Sequence, residues 1–217
     1  MEKQLHEFQN YIWDWNGMII NDLDFCLKIA NEIMKNHRDE EVTVQEYRAV
    51  FGFPVIDYWK RLGFDFNKES FEELTVKFMA QYNEKVLDNE LQEGARDVLD
   101  SLNRNGKSNY VLTAAHQKDV LQLLDKMELQ DSFVSVHGLD NYRAESKVQN
   151  GIKLMQQYDF DPEQTVMMGD TIHDYEVARE MGIYSVLIPN GHQSEERLRA
   201  IPDKRQRVVM DIREFLV

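Results

Sequence analysis

The chain has one cysteine in 217 residues, Cys26, so no intramolecular disulfide can staple it. Its flanks, Asp24, Phe25 and Leu27, read as a helix face, which makes Cys26 a small buried residue rather than an activated thiol. Proline and glycine are scarce, at four and ten, and leave little material for flexible linkers or low-complexity tracts. Basic charge is also short: 25 Lys plus Arg against 39 Asp plus Glu give a net charge of −14. Without a concentrated Lys/Arg block the chain lacks the footprint that phosphate polymers and anionic bilayers require, so nucleic acid and membrane surfaces are poor partners. No run approaches the ~18 apolar residues of a membrane span, and the amino-terminal residues have no apolar stretch like a secretory leader, so a cytoplasmic protein is expected. What is present is core material: 42% hydrophobic and 11% aromatic residues suffice for one large domain, or one domain carrying an insertion.

Short apolar runs bounded by polar turns recur in the second half, most of them followed by a segment with helical spacing. Strands are expected over Asn109–Thr113, Phe133–His137, Thr165–Met168 and Tyr184–Ile188, with helices between them through Val120, Leu123 and Leu124, through Val148, Ile152 and Met155, and through Val177, Ala178 and Met181. Alternation of this kind implies a parallel sheet with helices on both faces, because parallel strands need crossover connections. A further strand, Tyr11–Asp14, opens the chain, but residues 22 to about 90 then show helical spacing almost throughout, with breaks at Gly52-Phe53-Pro54 and Gly63. The expected organisation is an α/β, Rossmann-like, three-layer core (residues 1–20 and 91–217) with an inserted α-helical cap (residues 21–90).

In open parallel sheets, ligand groups gather beyond the carboxyl ends of the strands. The strands deliver Asp14 there, in Trp13-Asp14-Trp15-Asn16-Gly17, then Thr113 followed by Ala114, and then Gly169-Asp170 with Asp174 four residues on. Lys147 opens the helix that precedes the last of these. Each alone has a bland reading: a strand-end Asp as a turn or cap, Lys147 as a solvated helix residue, Thr113 as a β-branched strand residue. His116, His137 and His173 read as polar surface groups, since nothing beside them completes a nitrogen-rich metal set. Phe53, Tyr58 and Trp59 read either as cap core or as part of a substrate pocket.

Together, the Asp-x-x-Gly loop at Asp14–Gly17, the hydroxyl of Thr113, Lys147 and Gly169-Asp170-Thr171-Ile172-His173-Asp174 resemble, in order, the motifs of the haloacid dehalogenase superfamily. The inserted helical segment and Gly191-His192-Gln193-Ser194 are similar to its phosphoglycolate-phosphatase-like branch. The resemblance implies a phosphatase acting on a small phosphorylated metabolite through an aspartyl-phosphate at Asp14. It implies Mg²⁺ held by Asp14, the Asn16 backbone carbonyl and Asp170, with Asp174 holding a metal-bound water or orienting Lys147. It also implies that Thr113, the Ala114 N–H and Lys147 bind the phosphoryl group.

One position departs from the pattern. Family phosphatases place a second aspartate two residues after the nucleophile, as the proton donor to the leaving alkoxide; here that residue is Asn16, whose amide has no titratable proton. The departure leaves three readings open: a phosphatase slowed or limited to good leaving groups, a catalytically impaired phosphate- or metabolite-binding protein, and a carbon–phosphorus hydrolase resembling phosphonoacetaldehyde hydrolases. The last also lacks the second aspartate but needs a Schiff-base lysine, for which Lys60 is the nearest candidate.

Overall fold

The computed structural model describes residues 3–142 and 146–216. Its strands are β1 (Asn10–Trp13), β2 (Ser108–His116), β3 (Ser135–Leu139), β4 (Thr165–Gly169), β5 (Tyr184–Leu187) and β6 (Gln206–Val208). They form one sheet in the order β3-β2-β1-β4-β5-β6, and every neighbouring pair is parallel. Between β1 and β2 run α1 (Leu23–Met34), α2 (Val44–Val50), α3 (Val55–Leu62), α4 (Phe71–Lys85) and α5 (Ala95–Arg104). The later crossovers are α6 (Gln117–Lys126), α7 (Val148–Tyr158), α8 (Ile172–Met181) and α9 (Glu195–Arg199).

The period-two alternation of a strand separates two apolar layers. Tyr11, Trp13, Val111 and Met168 pack with Val98 and Leu99 of α5 and Val120 and Leu124 of α6 on one face. Ile12, Tyr110, Leu112 and Met167 pack with Leu154 of α7 and Val177 and Met181 of α8 on the other. The α/β, Rossmann-like class therefore holds, with helices on both sides of a parallel sheet. Two differences concern extent. β2 continues past Thr113 to His116, with a register shift against β3 between Leu112 and His116, so the strand bends as it reaches the crevice. The sheet also gains β6, whose three residues are only half buried and pair with β5 alone; an edge strand this short and polar carries no apolar run to announce it.

Two of the helices after β1, α2 and α4, begin at side-chain caps. Thr43 accepts the Glu46 N–H at 3.1 Å, and Ser70 with Glu73 forms a capping box at the start of α4. α3 stops at Gly63, which holds φ +92°. The chain enters and leaves this helical segment on two segments joined by an isolated antiparallel bridge: Asn21 N–H donates to Glu90 O at 3.0 Å and Gln92 N–H to Ile19 O at 2.8 Å. Its α2 end is fastened to the loop after β5. The Arg48 guanidinium donates to Gly191 O and Asn190 O, while Arg197 and the Gln193 amide donate to Phe51 O. The helical segment is thus held over the carboxyl ends of the strands.

Candidate active site

Register alone gathers the three strand-end groups. Trp13 pairs with Val111 on one side and with Met168 on the other, so Asp14, Thr113 and Asp170 leave neighbouring strands at one edge. That edge lies where the chain order reverses about β1, the switch point at which open α/β sheets bind ligands. Asp14 is tied there by its own N–H, which donates to Met168 O at 2.8 Å. The Thr113 hydroxyl accepts the Ala115 N–H at 3.0 Å, and Asp14, Thr113 and Ala114 line one cavity.

Lys147, at the N-cap of α7, is buried and reaches three acceptors. Its Nζ lies 2.5 Å from Asp14 Oδ1, 2.7 Å from Asp174 Oδ1 and 2.9 Å from Leu112 O. Burial works against the ammonium, but the two carboxylates outweigh it and hold the Lys147 pKa above the ordinary lysine value. Asp174 is correspondingly low: burial would raise it, and Lys147, together with the Thr171 hydroxyl that donates to Oδ2 at 2.7 Å, more than compensates. Removing one member of a buried ion cluster leaves the others uncompensated, so Lys147→Met is expected to cost roughly 3–5 kcal/mol of unfolding free energy. Urea denaturation of the two chains reads this directly, and equal midpoints would mean that the cluster does not hold the fold together.

Asp170 differs from its neighbours. Its Oδ2 accepts the His192 N–H at 2.5 Å, but Oδ1 is buried without a hydrogen-bond partner. Burial, eased by His192 and worsened by Asp174 and Asp14, pushes this carboxyl up to about 8. Asp14 is pushed up to about 6, by burial first, with Lys147 pulling down and Asp174 pulling up. One oxygen from each of Asp14, Asp170 and Asp174 lies within 4.8 Å of the others. An all-oxygen donor set with an orphaned anionic oxygen fits a hard divalent cation such as Mg²⁺. Gly17 stands against this cluster at φ +73°, where a Cβ would meet Asp170 and lie 2.7 Å from the His192 ring.

Asn16 is held by a network that spacing along the chain does not announce. Its Nδ2 donates to Asp22 Oδ2 and to the Tyr82 hydroxyl, each at 2.7 Å, and Tyr82 donates in turn to Asp22 at 2.9 Å. Asp22 is fully buried and also accepts the Gly17 N–H at 2.9 Å, while His192 Nε2 lies 3.2 Å from its Oδ1. Asp22 precedes α1 in the position of an N-cap, yet its side chain makes no cap bond; the carboxylate turns inward instead. Burial opposes both charges, but each is stabilised by the other, so Asp22 sits below the usual carboxylate range and His192 rises to about 9. The remaining His192 nitrogen, Nδ1, is 3.0 Å from the Tyr47 hydroxyl. Asp22, Tyr47, Tyr82 and His192 come from separate elements, and the one local signal was His192 in a glycine-led loop.

Other expectations fare unevenly. Cys26 is buried on α1, as its flanks imply. Phe53, Tyr58 and Trp59 all line the cavity. His173 is not the surface group expected of it: it is buried, with its ring against Phe53 at 4.7 Å between centroids. His116 and His137 are half buried. Lys60 is 56% exposed, pairs with Asp57 at 3.0 Å and is not among the residues lining the cavity, which leaves the carbon–phosphorus reading without its Schiff-base lysine.

Solved structures share this architecture across almost the whole chain. A predicted phosphatase from Clostridium acetobutylicum is 18% identical, with 93% of this chain and 94% of that one covered at a TM-score of 0.76. A predicted phosphoglycolate phosphatase from Haemophilus somnus is 17% identical, covering 93% and 94% at 0.71. Protein Tyrosine Kinase A of Mycobacterium tuberculosis is 22% identical, covering 96% of each chain at 0.74. At these identities the likeness establishes the fold. No curated protein sequence matches significantly. The model of haloacid dehalogenase-like hydrolases matches residues 11–188, from the strand that leads into Asp14 to just past the strand that follows Asp170 and Asp174, and the chain belongs to that family.

Proposed function

We propose that this chain is a Mg²⁺-dependent phosphatase of the phosphoglycolate-phosphatase-like type, acting on a small phosphorylated metabolite in the cytoplasm, and restricted to good leaving groups. The observation that carries the reading is the buried meeting of Asp14, Lys147, Asp170 and Asp174 at the switch point of the sheet. In this reading residues 1–20 and 91–217 form the catalytic core, and residues 21–90 form the cap that shapes the substrate end.

Asp14 is the nucleophile. Lys147 holds Oδ1, and the other oxygen attacks phosphorus; the bond from phosphorus to the ester oxygen breaks, and that oxygen leaves with its electron pair. The Thr113 hydroxyl, whose lone pair is engaged by Ala115, donates its proton towards the phosphoryl oxygens beside the Ala114 N–H. Lys147 stays charged throughout, because Asp174 keeps it so. Water then attacks the aspartyl-phosphate at phosphorus and restores Asp14. Asp14, Asp170, Asp174 and the Asn16 carbonyl would hold Mg²⁺, which when bound offsets the charge of the phosphate dianion against the attacking carboxylate.

The test is phosphate release from acetyl phosphate, p-nitrophenyl phosphate and an alkyl phosphate, with Mg²⁺ and with EDTA. Release from the first two should far exceed release from the alkyl ester and should disappear with EDTA. Absence of release from a broad panel, with Mg²⁺ binding intact by calorimetry, would favour the binding-protein reading instead.

A further inference from the structure

The cavity that starts at Asp14 says what the leaving group must be. It measures about 310 Å³ and runs from Asp14, Thr113 and Ala114 up between α6 and the helical segment. That is close to the lower end of the 300–1,000 Å³ range of small-molecule sites, with room for a phosphoryl group and a ring-sized remainder. Beyond the phosphoryl end its walls include Tyr58, Trp59, Leu74, Phe78, Tyr82 and Val120, five of them buried and Phe78 partly so. Rings are contiguous along one side: Trp59 meets Phe78 at 6.3 Å and Phe78 stacks on Tyr82 at 6.1 Å between centroids. Such a wall presents faces and edges to another ring.

Charge along the wall points the same way. Asp14, Asp22 and Asp119 line the cavity, whereas His192 is committed to Asp22, His116 Nδ1 stands 3.6 Å from Asp119 Oδ1, and the lysine among the described lining residues, Lys126, stands exposed on α6. A leaving group with a carboxylate of its own, such as glycolate, would meet apolar walls and these carboxylates, with no buried lysine or arginine among the described lining residues to receive it. Independently, Asn16 cannot protonate a departing alkoxide, and an aryl oxide departs without that help far more readily. The missing acid restricts the leaving group to good ones, aryl or acyl, and the apolar walls separately favour the aryl.

We propose that the substrate is a phosphate monoester whose leaving group is an uncharged aromatic ring system, seated against Trp59, Phe78 and Tyr82. The proposal rests on the phosphatase reading and narrows it. Hydrolysis moves one phosphoryl group to Asp14 and then to water, and the phenolic oxygen leaves as the oxide and takes its proton from solvent.

The experiment compares kcat/KM for 2-naphthyl phosphate and acetyl phosphate, and titrates the free 2-naphthol and glycolate into the protein by calorimetry. Acetyl phosphate has the better leaving group and no ring, so acidity alone favours it. The proposal expects 2-naphthyl phosphate to exceed it by about tenfold or more, as a filled apolar pocket allows, and expects saturable binding of 2-naphthol but not of glycolate. Phe78→Ser should lower the naphthyl-to-acetyl ratio by about tenfold, and Phe78→Leu, which keeps an apolar wall, should lower it less. Turnover of acetyl phosphate at or above the naphthyl ester, with no naphthol binding, would overturn the ring pocket and leave the phosphatase standing. Naphthol binding without release of phosphate from either ester would overturn the phosphatase reading, and with it this substrate.

Discussion

Asn16→Asp is expected to raise kcat/KM for an alkyl phosphate by roughly 10²- to 10⁴-fold, the usual contribution of a positioned general acid. The surroundings favour the acid form that such a residue needs. The Asn16 amide nitrogen lies 2.7 Å from the Asp22 carboxylate, which is fully buried and held ionised. A carboxyl placed there faces a like charge at hydrogen-bond distance, which favours its acid form, while the charged His192 on the far side of Asp22 works the other way. In the acid form its proton is available to a leaving alkoxide. An aryl or acyl phosphate, whose leaving group needs no proton, should gain far less, so the measurement is the ratio of the two gains. An unchanged or lower rate on the alkyl ester would mean that position 16 is not where the leaving group takes its proton. Asn16 precedes Gly17, a pair prone to deamidation, so peptide mass spectrometry of the assayed wild-type protein must accompany the comparison.

In the proposed mechanism the same position also governs the second half of the cycle. The acid that protonates the leaving group is, in reverse, the base that activates water against the aspartyl-phosphate. Asn16 cannot serve there either. With a good leaving group, formation of the intermediate outruns its hydrolysis, and the first turnover should appear as a burst of released leaving group close to the enzyme concentration.

Asp14→Asn is expected to lower phosphate release by on the order of 10⁴-fold or more, the scale on which loss of a covalent nucleophile acts. The protein should remain folded. Burial holds the Asp14 carboxyl up at about 6, so its charged form is disfavoured in place, and a neutral amide of the same shape removes that penalty while Lys147 keeps Asp174. Thermal unfolding recorded beside the assay should show a midpoint no lower than wild type. Loss of activity together with a collapsed midpoint would assign Asp14 to the fold rather than to the chemistry.

Much of this arrangement was legible in the residues. β1, β2, β4 and β5 are short apolar runs, and a parallel sheet fixes which of their ends share an edge, so the residues alone place Asp14, Thr113 and Asp170 together. Lys147 was placed by its position opening the helix before β4, but its role followed from the resemblance: nothing local distinguishes a buried helix-opening lysine from a solvated one. The Asp22–His192 pair was illegible for a different reason. Its members stand 170 positions apart, and the partners Tyr47 and Tyr82 sit on helices whose apolar stripes explain them fully without it. His173 was misplaced because a histidine in the first turn of a helix ordinarily faces water; here the Phe53 ring of the inserted segment covers it. Contacts made between the helices after β1 and the elements around the sheet leave no periodic signal in either.

The measurement that bears most directly on the central claim is chemical trapping at residue 14. Wild-type protein mixed with p-nitrophenyl phosphate and Mg²⁺, quenched in acid during the burst and reduced with borohydride, should yield the peptide containing residue 14 with its aspartate converted to homoserine. Asp14→Asn should yield none. Steady release of phosphate from wild type with residue 14 unmodified after reduction, or reduction at a different aspartate, would contradict the account.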